Sequence, residues 1–160
     1  VEAIFKADPE AGASLGLMGA DFTAANRMAL KAEQWNDTGQ IGFTVFGVVD
    51  VTLPAPTPSD FSHVVFTGSA SGVDLYVGGA LVGSDTTSTA ISRHILGAGA
   101  QRDDGSLIDG LTGAIDELVI YDRLLSSGEI AAHAAAVPEP ASATLSLLGL
   151  LGLLTLRRRR

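Results

Sequence analysis

The sequence contains no cysteine, so neither a disulfide framework nor a thiolate metal site can form. Aromatic residues make up only 6% of the chain and charged residues only 18%, whereas 19 glycines are present. This composition is typical of turn-rich β structure rather than of helices. A domain of this size can be stabilised by its core alone, so the lack of cysteine does not exclude an exported protein.

Positive charge is scarce until the last four residues. Residues 1–156 carry six Lys and Arg against 18 Asp and Glu, a net charge near −12, and Arg157–Arg160 add four positive charges. Because so acidic a body repels phosphate backbones, we expect no nucleic-acid partner. An initiator Met and a basic-then-apolar leader are also missing, and Val1–Lys6 already reads as a strand. We therefore expect a signal peptide to precede this chain, and leave open whether the first strands of the domain do too.

Alternating apolar residues predict β-strands over most of the first 125 or so residues. One hairpin is predicted from Arg27 to Val45, with its turn at Asn36–Gly39, because Asn, Asp and Gly tolerate the left-handed backbone of tight turns. A second hairpin is predicted to turn at Gly78-Gly79. The remaining predictions are strands at Phe61–Thr67, Ile91–Leu96 and Gly113–Tyr121, a loop at Gln101–Leu111, and a break in regular structure at Pro54, Pro56 and Pro58.

One helix is predicted after the last strand. Ser126 and Glu129 have the spacing of a capping box, and an Ala-rich run continues to Ala136 before Pro138 ends the helix. Many short strands without alternating helices favour an all-β, antiparallel β-sandwich over a parallel α/β sheet. The fold predicted for the body is therefore a sandwich with one short capped helix.

The C-terminus is predicted to insert into a membrane. Ala141–Leu156 carries no charge, and eight of its sixteen residues are Leu, which together favour insertion by roughly 4 kcal/mol. A helix of this length spans about 24 Å, and flanking arginines can snorkel to match a core of about 30 Å. Because Lys and Arg stay on the cytoplasmic side, Arg157, Arg158, Arg159 and Arg160 should remain inside and the body outside. A buried amphipathic helix is the alternative, but the segment has no polar face.

The tail resembles the PEP-CTERM sorting signal of exosortase-processed bacterial proteins. The matching parts occur in order: Val137, Pro138, Glu139 and Pro140, then the Leu/Gly-rich run, then the four arginines. The resemblance implies a Gram-negative source, Sec export, recognition by an exosortase near the Pro-Glu-Pro motif, and delivery of the body to the cell envelope or an extracellular polysaccharide matrix. We therefore divide the chain into a body, 1–136, and a sorting tail, 137–160, with its transmembrane segment at 141–156.

Four segments of the body resemble the LamG-like, or concanavalin A-like, jelly-roll family. Their family patterns are W-x-H-V-A-F, L-Y-V-N-G-x-L-V-G, G-x-x-G-x-I-D-E-V-x-I-Y and R-A-L-S-x-x-E-I, matched here by Phe61–Phe66, Leu75–Gly83, Gly110–Tyr121 and Arg123–Ile130. Phe61 stands in the Trp place and Gly78 in the usual Asn place. The resemblance implies a jelly-roll sandwich, and these segments carry its framework rather than a reaction.

Two sets of residues are candidates for ligand binding. Trp35, beside a predicted turn, and Tyr76 could stack on a sugar ring, although core packing would also account for them. Asp103, Asp104 and Asp109 could offer oxygens to Ca²⁺ as a cofactor, although a solvated acidic loop has the same composition.

Catalysis has less support in the sequence. Asp116 and Glu117 are adjacent, but neighbours on a strand point to opposite faces, and the Glu-x-Asp-x-x-Glu spacing of the family's glucanases is absent. His63, His94 and His133 are scattered, with His63 at a framework position and the others expected at the surface. We therefore predict a non-catalytic surface module that binds polysaccharide or a surface protein. A glycoside hydrolase or lyase of the same fold, and a structural matrix protein without a discrete ligand, remain as alternatives.

Overall fold

The computed structural model of the protein describes residues 1–21, 28–88 and 95–137. The predicted tail from Pro138 onward, and His94 with most of the strand predicted at 91–96, lie outside these ranges. Within them, no helix is both long and apolar enough to cross a membrane. The elements of the described ranges are β1 (Glu2–Ala7), β2 (Leu15–Asp21), β3 (Met28–Glu33), β4 (Gln40–Val45), β5 (Val49–Pro56), β6 (Ser62–Ser69), β7 (Gly72–Val77), β8 (Ala80–Asp85), β9 (Ile95–Leu96), β10 (Ala100–Gln101), β11 (Leu107–Ile108), β12 (Gly113–Val119) and α1 (Ser127–Ala136).

The strands form two sheets that share one core. The five-stranded sheet has the order β12-β1-β6-β7-β8, and the seven-stranded sheet has the order β11-β10-β2-β3-β4-β5, with β9 also paired to β2. Alternate residues of both sheets, such as Phe5, Leu75, Leu30 and Phe43, are fully buried between them. The sheets, with one helix in the described residues, confirm the predicted all-β sandwich and are consistent with a jelly roll. One strand pair, β10 with β2, is parallel.

Both predicted hairpin turns are present. Asn36, Asp37 and Gly39 have φ angles of 76°, 58° and 68°, so the turn between β3 and β4 uses the left-handed backbone for which its residues were singled out. Gly78 and Gly79, with φ angles of 56° and 84°, join β7 to β8 as a two-residue turn.

Two local predictions are wrong, and one strand was missed. Pro54 and Pro56 do not break regular structure but lie within β5, which tolerates them because β5 is an edge strand and both side chains face solvent. The predicted loop at Gln101–Leu111 includes β11 and the end of β10. Strand β2 was not predicted, because register irregularities around Gly16 interrupt its alternation.

Helix α1 begins with the predicted capping box. The Ser126 hydroxyl accepts from the amide of Glu129 at 3.3 Å, and the Glu129 carboxylate accepts from the amide of Ser126 at 2.8 Å. The Arg123 guanidinium, and the hydrogen bonds that the amide and hydroxyl of Ser126 donate to the Glu129 carboxylate, lower the pKa of Glu129 to about 2. Ile130 is the buried residue of the helix and packs on Val65, which fixes α1 to the outer face of the five-stranded sheet.

Candidate functional site

A cleft of about 700 Å³ opens on the outer face of the seven-stranded sheet. Met28 and Leu30 of β3 face the core. Because successive side chains of a strand point to opposite faces, Lys31 faces outward, as Thr44 of β4 and Asp50 of β5 also do. We call this space the Trp35 cleft; it is lined by Lys31, Trp35, residues 44–50, Arg102, Ile108 and Asp109.

The floor of the Trp35 cleft contains a buried lysine. The Lys31 ammonium donates to the Ser14 hydroxyl at 2.9 Å and to the Asp109 carboxylate, and it lies 5.5 Å from the centre of the Phe46 ring. Its side chain is 1% exposed. Burial lowers the pKa of Lys31, an effect that the hydrogen bond and charge of Asp109 partly offset. The pair thereby fastens the segment after β11 to β3 and forms one wall of the cleft.

Close backbone contacts also position this wall. A Cβ atom on Gly19 would lie 1.8 Å from the Gly99 carbonyl oxygen, and one on Gly16 would lie 2.1 Å from the Gly99 amide nitrogen. Real Cβ atoms do not approach so closely, so β2 needs glycine where the segment before β10 crosses it. The Asp109 carbonyl, in turn, accepts from the amide of Gly16 at 2.7 Å.

Trp35 is the exposed aromatic residue of the cleft, and its backbone is held by a buried amide. The side chain of Gln34 donates to the carbonyls of Phe43 and Val51 at 2.6 and 2.8 Å, and its oxygen accepts from the amide of Trp35 at 2.7 Å. The indole itself is 58% exposed. Beside it, Thr44 donates to the Asp50 carboxylate at 2.6 Å. The cleft therefore combines an aromatic surface on a fixed backbone with polar groups of both charges.

Tyr76, the other residue predicted to stack on a sugar, does not line the Trp35 cleft. Tyr76 lies on β7 of the opposite sheet, half-buried against Val65, Leu125 and Ile130.

The predicted calcium ligands have separate partners. The Asp104 carboxylate accepts from the amide and hydroxyl of Ser106 in the β10–β11 turn, which lowers its pKa, and Asp103 is exposed in the same turn. Asp109 binds Lys31. In the parts of the chain that the structure describes, no group of three or more His, Asp or Glu residues is arranged to hold a metal ion.

A cluster of polar residues that sequence reasoning missed lies on the outer face of the five-stranded sheet. The carboxylate of Glu2 lies 2.6 Å from Nε2 of His63 and 3.0 Å from Nδ1 of His133, and it accepts from the hydroxyl of Tyr121 at 2.7 Å. We call these four residues the Glu2 cluster. His63 and His133, read as scattered in the sequence, thus meet on one carboxylate. No local sequence pattern could indicate this, because the contacts join residues 61 to 131 positions apart.

The Glu2 cluster favours an ionised carboxylate. Burial raises the pKa of Glu2, but the hydrogen bonds from His63, Tyr121 and His133 outweigh it and bring that pKa below its ordinary value. The hydrogen bond to Glu2 and, second, burial raise the pKa of Tyr121 to about 12. Tyr121 also stacks on the ring of His133, with 6.3 Å between ring centres.

A smaller cleft of about 370 Å³ adjoins the Glu2 cluster and is lined by Asp116 and Glu117 as well. The register between β1 and β12 shifts between Ile4, which pairs with Glu117, and Phe5, which pairs with Ile115. Asp116 therefore lies at a β-bulge, where the regular alternation of faces is interrupted. Both carboxylates are exposed, and both line this one cleft rather than opposite sides of the sheet.

Comparison with known proteins places the fold in a family. The family model Laminin_G_3, which describes the Concanavalin A-like lectin/glucanases superfamily, matches residues 4–131. The chain belongs to this superfamily. The match includes β12 and the first half of α1, which were among the segments singled out in the sequence.

Two solved structures are similar to the chain. The chain is similar to the Ruminococcus gnavus IT-sialidase CBM40, with a TM-score of 0.61 and 18% identity, covering 83% of this chain and 80% of that one. It is also similar to an S-layer domain-containing protein (residues 221–444) from Clostridium thermocellum ATCC 27405, with a TM-score of 0.40 and 25% identity, covering 78% and 64% of the two chains. No curated protein matches the chain.

Proposed function

We propose that this chain is a non-catalytic carbohydrate-binding module whose ligand lies in the Trp35 cleft. The observation that carries the proposal is a largely exposed indole on a buried hydrogen-bonded support, next to charged side chains that can reach sugar hydroxyls. The likeness to the CBM40 of a sialidase supports a binding role for the fold, since that structure is named as a carbohydrate-binding module.

The chemistry of the cleft suits a sugar ring. The apolar face of a pyranose can stack on the Trp35 indole, while hydroxyls at its edge donate to the carboxylates of Asp50 or Asp109 and accept from Arg102. Two positive and two negative side chains line the cleft, so its net charge is near zero in an otherwise acidic body. Stacking and hydroxyl hydrogen bonds, rather than a strong field, would therefore provide most of the affinity.

A glycan panel tests this proposal directly. The full chain is screened against immobilised glycans and matrix polysaccharides, each with Ca²⁺ and with a chelator, because Asp103, Asp104 and Asp109 remain candidate calcium ligands. We expect saturable binding that Trp35→Ala weakens at least about tenfold, or about 1.4 kcal/mol. Phe61→Ala is the matched control, since Phe61 is also an exposed aromatic, at 46%, but lies outside the Trp35 cleft. Absence of binding to every glycan under both conditions would contradict the proposal.

An enzyme of the same fold is the alternative in a different functional class. The observation in its favour is that Asp116 and Glu117 line one cleft with Glu2 and two histidines. If the chain releases reducing sugars from a bound polysaccharide, and Asp116→Ala or Glu117→Ala abolishes this release, the proposed function becomes catalysis rather than binding. Co-purification with exopolymer without saturable affinity for any sugar would instead favour a structural matrix protein.

We further propose that the module is exported and sorted through its C-terminal tail. The support is the order of Val137–Pro140, the uncharged run 141–156 and Arg157–Arg160, together with a body whose last helix ends at Ala136, just before the motif. The partners proposed on this basis are the inner membrane and an exosortase, and the destination is the Gram-negative cell surface or extracellular matrix.

A further inference from the structure

We infer that the chain leaves the body on the side opposite the Trp35 cleft, so that whatever is attached beyond Val137 presents this cleft outward. The opposite positions of the cleft and Val137 do not depend on the proposed function; only the use of the outward-facing cleft for glycan binding rests on it. Its geometric basis is the position of two sites on the two outer faces of one sandwich.

The Trp35 cleft belongs to the outer face of the seven-stranded sheet. Leu30 and Phe43 of that sheet are buried in the core, whereas Lys31 and Thr44, their neighbours along the strands, line the cleft. Because successive side chains of a strand point to opposite faces, the cleft faces away from the other sheet.

The point of exit belongs to the outer face of the five-stranded sheet. Phe5 and Val64 of that sheet are buried in the same core, whereas Glu2 and His63 face the other way and line the smaller cleft. Val137, the last described residue, lines that smaller cleft too. The backbones of stacked sheets lie about 10 Å apart, and the side chains of each outer face add to this separation.

Contacts of α1 with the five-stranded sheet also fix the position of Val137, where the chain leaves the body. Ile130 anchors the middle of α1 in a cluster with Val65 and Leu125, and His133 joins the Glu2 cluster one turn later. Only Ala134–Ala136 separate His133 from Val137, a rise of about 6 Å along the helix axis. Val137, the last described residue, is thereby held near the outer face of the five-stranded sheet.

Two features of the composition allow a ligand-free test. The chain has no Cys and a single Trp, so one introduced cysteine provides a unique attachment point and Trp35 a unique donor for energy transfer. The full chain is coupled through Ala136→Cys to hydrophilic maleimide beads that carry dansyl acceptors, in mild detergent that keeps the tail in solution. The matched control is coupled through Val48→Cys, which is 77% exposed and lies on the rim of the Trp35 cleft.

We expect transfer from Trp35 to the bead to be severalfold stronger for attachment at position 48 than at position 136, because transfer falls steeply with distance. Equal transfer, or stronger transfer from position 136, would overturn the inference. The measurement uses no glycan, so a failure of the proposed binding function leaves this result intact. If the proposed function holds, beads coupled through position 136 should also retain the polysaccharide, and beads coupled through position 48 should not.

Discussion

Lys31 occupies a position where an ammonium group is expensive to bury, and its partners determine whether it is tolerated. Its side chain is 1% exposed, and that of Asp109 is 19% exposed. Asp109 itself has a φ of 52°, an uncommon conformation for a residue other than glycine. The hydrogen bond and charge of Asp109 therefore offset part of the desolvation of Lys31.

Removal of the Lys31 ammonium should destabilise the protein. We expect Lys31→Met to lower the free energy of unfolding by about 3 kcal/mol, because Asp109 would be left as a largely buried charge without a partner. The double variant Lys31→Met/Asp109→Asn should recover part of this loss. Urea unfolding at pH 7 measures both, and a double variant no more stable than the single one would contradict the explanation.

Trp35 represents the opposite case, a large apolar side chain held outside the core. Because the indole is 58% exposed, Trp35→Ala should change the free energy of unfolding by less than about 0.5 kcal/mol. The same urea experiment checks this, and it ensures that a loss of glycan binding in this variant reflects the cleft. A loss of several kcal/mol would instead assign Trp35 a structural role.

At the scale of elements, the wall of the Trp35 cleft depends on glycines in β2. We expect Gly19→Ala to cost at least about 2 kcal/mol, since its Cβ would lie 1.8 Å from a backbone oxygen that no rotamer change can move. Gly128→Ala is the matched control, because no atom beyond its chain neighbours and the backbone of its own helix lies within 4 Å of a Cβ there, and alanine favours the helix by about 1 kcal/mol. The midpoint temperature of thermal unfolding should therefore fall for Gly19→Ala and rise for Gly128→Ala.

The docking of α1 should depend on pH through Glu2. Its pKa is below the ordinary value of 4.5 in the folded protein, so its ionised form stabilises the fold above that pH and this contribution is lost as the pH falls through the folded-state pKa. Glu2→Gln should cost about 1–2 kcal/mol at pH 7. The difference in urea stability between native chain and variant should narrow below pH 4.5. If the difference in the free energy of unfolding between the two proteins does not change with pH, the Glu2 charge does not hold the helix.

At the scale of the whole molecule, charge is divided between acidic residues 1–156 and a basic tip. Residues 1–156 have a net charge near −12, from six basic and 18 acidic residues, and the tip has four arginines. We predict that alkaline phosphatase fused after Arg160 is inactive in a Gram-negative host, because the tip stays in the cytoplasm. Replacement of Arg157–Arg160 by Gln should raise its activity. Active, periplasmic alkaline phosphatase fused after the unchanged arginines would contradict both the proposed membrane orientation of the tail and the proposed sorting.

The sequence was sufficient for the features that short-range patterns encode. Alternation identified β3, β4, β6 and β7, which face one core. Asn36–Gly39 and Gly78-Gly79 marked turns that need left-handed backbone, and Ser126 with Glu129 marked the start of α1. It failed where a local rule depends on the position of a strand in its sheet. Pro54 and Pro56 are compatible with β5 only because β5 is at an edge.

The tertiary structure alone decided which polar residues meet. Lys31 and Asp109 are 78 positions apart, and Glu2 and His133 are 131 apart, so nothing in either neighbourhood predicts their contact. Trp35 could be recognised as a candidate from its residue type and adjoining turn, but its exposure follows from how Gln34 bridges two strands beneath it. Local periodicity thus determines which side of a strand faces the core, whereas the pairing of distant strands determines which groups share an outer face.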